Sequence, residues 1–189
     1  MKNTKCPLLK SHLLLVFILI IITTSCSIDD VVPDDILGGG NITATINGNK
    51  FESAKEYDKV EITSISNIYI IALSAGDAEG ISKLKGLVLV ASGEDYATLK
   101  SGKTWNEPGI SNEVNKARAA YSEDDGSSET NDFDTEITED IYIKITSLDK
   151  SKKTISGEFT FTVVDEDTGK KYKATNGKFK EIPYTLTEQ

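Results

Sequence analysis

The side chains that most often carry protein chemistry are scarce in this 189-residue chain. It has one histidine, His12, and two cysteines, Cys6 and Cys26. A Ser-His-Asp or Cys-His centre needs a histidine beside a nucleophile, and zinc or copper sites need several His or Cys ligands. The only candidates for either role lie within the first 26 residues. No G-x-S-x-G elbow, phosphate-binding loop or dinucleotide fingerprint appears, so no cofactor is expected. Carboxylates are plentiful, and a hard cation such as calcium takes oxygen ligands. Asp124 and Asp125, with Asp132 and Asp134, are the weak calcium candidates. Their spacing does not match an EF-hand, because Tyr121 stands where the first aspartate should be. Asp165-Glu166-Asp167 before Gly169 is a second acidic cluster. Trp105, with Tyr96 and Tyr121 near it in sequence, are the candidate ligand contacts. Exposed, they would form a platform for a sugar; buried, they are packing residues.

The first 26 residues read as a targeting segment. Lys2, Lys5 and Lys10 precede an unbroken apolar run, Leu13 to Ile22. As a helix that run spans about 15 Å, half the thickness of a bilayer core. A charged start, a short apolar run and the small residues Thr23, Thr24 and Ser25 describe a signal peptide over residues 1–25. Cys26 follows directly. Ile22-Thr23-Thr24-Ser25-Cys26 resembles a relaxed lipobox of Bacteroidota lipoproteins, and the resemblance implies lipid attachment at Cys26. No other cysteine remains downstream to pair with it. Ser27-Ile28-Asp29-Asp30 resembles the surface-export signal of the same lipoproteins. The implied location is the outer membrane, lipid-anchored and surface-exposed, with the periplasmic face as the alternative.

Cleavage before Cys26 would remove the histidine, Cys6 and three lysines but no acids. The formal charge would move from −9 to −12. A nucleic-acid partner calls for the opposite balance. Arg118 is the only arginine, which also disfavours bidentate recognition of phosphate.

Stepping along the mature chain, residues 26–40 form an acidic and glycine-rich tether ending in Gly38-Gly39-Gly40. From residue 41 to 189 the hydrophobic period is two. Ile42, Ala44 and Ile46 alternate with threonines, and Asn47-Gly48 predicts a hairpin turn. Further strands are expected around Val60–Ser64, Ile68–Leu73 and Ile81–Ser92. Leu87-Val88-Leu89-Val90 reads as a strand covered on both faces. Gly76 to Gly80 is read as a break, and residues 93–118 as loop with short strand pieces. Residues 119–143 lack Lys and Arg, and an acidic loop is expected near 122–134. Ile141, Ile143 and Ile145 share a face, as do Ile155, Gly157, Phe159, Phe161 and Val163. Asn176-Gly177 is read as a last turn. The pattern predicts one all-β domain, an antiparallel sandwich or flattened barrel of about eight to ten short strands.

The opening Ile42-Thr43-Ala44-Thr45-Ile46-Asn47-Gly48 with Phe51 resembles the start of a domain-of-unknown-function family of Bacteroidota lipoproteins. The closing Ile155-Ser156-Gly157-Glu158-Phe159-Thr160-Phe161 and Thr175-Asn176-Gly177-Lys178-Phe179 resemble its end. The resemblance implies a small all-β domain and carries over no catalytic residue. The functional expectation is a non-enzymatic outer-membrane lipoprotein that binds a protein or glycan at the envelope. The alternatives are a lipocalin-like carrier of a small apolar ligand and a structural accessory of an envelope complex. The residues leave the oligomeric state open.

Overall fold

The computed structural model describes residues 42–78, 84–109, 113–123 and 136–189. The expected signal peptide (residues 1–25), Cys26 and the expected tether to residue 40 lie outside the described residues, as do Asp124, Asp125, Asp132 and Asp134.

Among the described residues ten strands follow in chain order: β1 (Ile42–Ile46), β2 (Asn49–Glu52), β3 (Lys59–Ile65), β4 (Ile68–Ala78), β5 (Leu84–Glu94), β6 (Thr104–Trp105), β7 (Ala117–Glu123), β8 (Glu136–Asp149), β9 (Thr154–Asp165) and β10 (Lys171–Glu188). Their order in the sheet is β6-β8-β9-β10-β3-β4-β5-β7, with β1 on β10 and β2 on β1. The fold is all-β, one domain whose single sheet curls into a nearly closed barrel.

Local chemistry accounts for the turns. Asn47 and Gly48 both take positive φ, 48° and 86°, and close the β1–β2 hairpin. The Asp149 carboxylate accepts from the N–H groups of Ser151 and Lys152, 2.9 Å each, at the β8–β9 corner. Asp165 does the same for Asp167 and Thr168 at the β9–β10 corner.

The long strand β10 holds the barrel together. Its first half pairs antiparallel with β9 and β1. Its last residues, Tyr184 to Glu188, run parallel to Val60–Ser64 of β3. The remaining gap lies between β7 and β8. The segment after β6 fills part of it: Ala117 N–H donates to the Glu107 carbonyl and Gly109 N–H to the Ala117 carbonyl, both at 3.0 Å. Further along, the Thr138 hydroxyl accepts from Ala119 N–H and donates to the Ala119 carbonyl, again at 3.0 Å. A side chain thus supplies a rung where the backbones do not meet.

Alternation points one face of each strand inward. In β9 every second residue from Ile155 to Asp165 is buried. Trp105, Tyr69, Tyr121, Phe51, Phe159 and Phe161 are the bulkiest of the wholly buried side chains. They fill the barrel. The cavity bounded by Val60, Leu89, Trp105, Ile143, Ile155 and Phe179 holds only about 20 Å³, and its lining is apolar. That is room for about one water with nothing to bond it, so the space is dry.

Four details depart from the sequence reading. The sheet is not wholly antiparallel, because β10 meets β3 in parallel. Such a contact joins distant segments and leaves no local signal. Strand β4 continues through Gly76 to Ala78, with Gly76 directly opposite Gly86 of β5. Val88 and Val90 are only half-buried, so β5 is covered fully on its inner face alone. Asn176-Gly177 is not a turn. It is a β-bulge inside β10, where the four residues Ala174 to Gly177 span the three residues Phe161 to Phe159 of β9, and Asn176 takes φ 55°.

Candidate functional site

The aromatic residues singled out from sequence do not form an exposed platform. Trp105 is 1% exposed, and its indole N–H donates to the Ser92 carbonyl at 2.6 Å. It is a core residue that pins the β6 segment across the barrel. Tyr121 is equally buried, with ring contacts to Phe51 (centroids 6.3 Å apart) and Tyr172 (5.0 Å). Its hydroxyl donates to Glu123 at 2.7 Å, and burial pushes it well above the usual tyrosine range. Tyr96 lies in a 3-10 turn, Tyr96–Thr98, and its hydroxyl pairs with that of Tyr184 at 2.9 Å. The Lys150 ammonium lies 4.6 Å from the centre of its ring. Each of the three has a structural partner of its own.

The acidic cluster Asp165-Glu166-Asp167 is explained by its turn. Backbone N–H donors hold the Asp165 carboxyl below its ordinary range, that of Thr168 contributing most. Among the described residues no three acidic, histidine or cysteine side chains converge on a point that could hold a metal.

A concavity lies instead on the outside of the barrel, over β4, β5 and β7. It encloses about 530 Å³, within the usual range for a ligand cleft. Its floor is made of small or short side chains: Ser74, Gly76, Gly86, Val88 and Ser122. The floor is flat because register places Ser74 opposite Val88, Gly76 opposite Gly86, and Gly86 opposite Ser122. Asp77 and Lys85 form an ion pair in the lining at 3.9 Å, their side chains 15% and 19% exposed.

Tyr57 forms the wall. It ends a 3-10 turn, Lys55–Tyr57, that crosses from β2 to β3. The turn is tied down by Ala54 N–H to the Gly76 carbonyl and by Tyr57 N–H to the Ala54 carbonyl, both 2.9 Å. Gly76 makes this approach possible, since a Cβ there would stand 3.1 Å from the Tyr57 Cβ. The side chain remains 50% exposed and makes no hydrogen bond among the described residues. An exposed aromatic face on a fixed backbone, beside hydroxyls and an ion pair, can take a partner that offers both apolar and polar surface.

Next to it, Asp58 is unusual. Both carboxylate oxygens are buried, and no hydrogen bond of regular geometry reaches either. Burial pushes its carboxyl above the ordinary range; the nearby Ser53 hydroxyl pulls the other way, and Glu56 adds to the rise.

Neither Tyr57 nor Asp58 stands out in the sequence as a site residue. The available signal is the pair of glycines, Gly76 and Gly86, within apolar strands, which marks a close approach by another group.

No curated protein and no solved structure matches the chain. The model of a family described as a domain of unknown function (DUF6252) matches residues 74–183, more than half of the chain. The match runs from the middle of β4 to Pro183 in β10, so it takes in the closing Ile155–Phe161 and Thr175–Phe179 motifs and the groove floor. The opening Ile42–Gly48 motif precedes it. The chain belongs to the DUF6252 family of domains of unknown function.

Proposed function

We propose that this chain is a non-enzymatic, lipid-anchored protein of the outer membrane that binds a protein or glycan partner through the groove walled by Tyr57. The contrast between inside and outside carries the proposal. The interior keeps about 20 Å³ of dry space, whereas the outer groove keeps about 530 Å³ beside an exposed aromatic ring. A lipocalin-like carrier needs an internal chamber many times larger, so the filled core speaks against that alternative. The scarcity of histidine and cysteine speaks for binding over catalysis. The lipobox-like Ile22–Cys26 and the acidic residues after it support the anchor and an outward-facing location, by resemblance to Bacteroidota lipoproteins.

Crosslinking on intact cells, followed by pull-down through the full chain, tests the binding. Recovery of a recurrent partner that falls at least tenfold in Tyr57→Ala is the expected result. Undiminished recovery from a folded Tyr57→Ala variant overturns the groove as the site.

A further inference from the structure

A second surface, separate from the groove, carries charge of the opposite sign to the chain as a whole. It lies on the outer face of β10. Lys171 and Lys173 point outward there, while Tyr172 and Ala174 point into the core. Strict alternation would then turn Phe179 to solvent and Lys178 and Lys180 into the core. The bulge at Asn176-Gly177 inserts one residue and shifts the phase. Phe179 is buried as a result, and Lys178 and Lys180 join Lys171 and Lys173 on the outer face. The row is about 30 Å long at roughly 3.3 Å per residue.

Lys171 is bound to Glu139 at 2.7 Å. Lys173, Lys178 and Lys180 have no ion-pair partner among the described residues. The acid nearest in register, Glu158 opposite Lys178, is engaged by Lys144 at 3.4 Å. Direct cross-strand neighbours of the row include Thr162 opposite Lys173 and Thr43 opposite Lys178. In a chain of net charge −9, three ammonium groups without an ion-pair partner, against the one exposed carboxylate of Glu181 beside Lys180, form a local positive line on this strand.

From this line we infer a binding surface for an extended anionic polysaccharide, such as a polyuronate, lying along β10. Lysine suits a carboxylate polymer, because each ammonium is a rotatable point charge that needs no fixed bidentate geometry. Threonine hydroxyls beside the row can bond sugar hydroxyls. A protein partner would need a buried apolar anchor at the centre of its interface. Lys173 to Lys180 expose none, since Tyr172, Ala174 and Phe179 are all buried. A planar anionic membrane would also meet Glu158, which a polymer aligned with β10 passes to one side.

The experiment measures retention of the full chain on immobilised polygalacturonate, on neutral dextran and on vesicles containing phosphatidylglycerol. It compares wild type with a row variant, Lys173→Glu/Lys178→Glu/Lys180→Glu. A second variant, Lys55→Glu/Lys100→Glu/Lys152→Glu, makes the same change in net charge elsewhere on the surface. The expected result is salt-sensitive binding to polygalacturonate alone. It should fall at least tenfold in the row variant and stay within about twofold in the other. Melting curves confirm that both variants fold, and Lys178→Gln alone supplies a milder step in the same direction. Equal weakening by both variants overturns the inference in favour of net charge. Retention on vesicles without retention on polygalacturonate overturns it in favour of a membrane surface. Absence of wild-type retention on polygalacturonate at low salt also overturns it. Because Tyr57→Ala leaves the lysine row untouched, it should bind polygalacturonate as wild type does, whatever becomes of the groove.

Discussion

Asp58 is the residue most clearly out of balance with its surroundings. Its carboxylate is buried without a regular hydrogen bond, which is unfavourable unless the group is protonated. Its folded pKa is raised, so the sign follows directly. Stability is fully present below the ordinary aspartate range and falls as pH rises through the raised folded value. Asp58→Asn removes that loss. The variant should gain about 1 kcal/mol at pH 7, or about 2–4 °C in Tm. Melting curves from pH 4 to pH 8 should show the gain growing with pH. A gain that is constant across that range would contradict this account. Gly157 is the opposite case, a residue that fits only as it is. A Cβ there would collide with the Phe179 ring and the Lys144 carbonyl. Gly157→Ala should cost about 1–3 kcal/mol, read by denaturant unfolding. A glycine inside a strand, as Gly157 is, suggests in sequence either a bulge or a close approach by another group, and here it is the approach of Phe179. Asp58 was not legible there, because its burial depends on how a 3-10 turn packs against a strand distant in sequence.

At the scale of elements, two Asn-Gly pairs had different outcomes. Asn47-Gly48 joins strands that pair with each other, and it is a turn. Asn176-Gly177 lies where the flanking residues, Ala174 and Phe179, both pair with β9. The same dipeptide there becomes a bulge, since tolerance of positive φ serves either purpose. The alternation of Ile155 to Val163 was fully legible, because burial repeats every second residue. Inserting one alanine between Gly177 and Lys178 should shift the phase of β10 by a further residue and turn Phe179 to solvent. The expected loss is about 3 kcal/mol or more, comparable to removing a buried phenylalanine. Unchanged denaturant unfolding would refute the bulge. Trp105 tests barrel closure. Trp105→Phe keeps an aromatic ring but shrinks it within the core and leaves the Ser92 carbonyl with only the Asn115 N–H at 3.1 Å in place of the 2.6 Å indole donor. The variant should lose about 1–3 kcal/mol in the same measurement. Nothing local in Thr104-Trp105 identifies it as the bridge between β7 and β8. That role comes from Thr104 and Trp105 pairing with residues 144 and 143 on one side and from Glu107 and Gly109, just beyond them, bonding Ala117 on the other.

At the scale of the molecule, the barrel is a filled body with its open features on the outside. Its all-β class and single domain followed from period-two patterning, while closure by the parallel β10–β3 contact did not. The proposed anchor is tested without reference to the fold. Cys26→Ser should shift the protein from the membrane to the soluble fraction, and unchanged membrane retention would remove lipidation from the account. The central claim is that binding occurs at the outer groove. A photoreactive residue placed in turn at positions 57, 88 and 98 of the full chain, and activated on intact cells, tests it most directly. Positions 57 and 88 line the groove, and position 98 is exposed in the Tyr96–Thr98 turn. The account predicts a shared crosslinked product at 57 and 88 that is absent at 98. A product of equal yield at all three positions, or one formed only at 98, would contradict it.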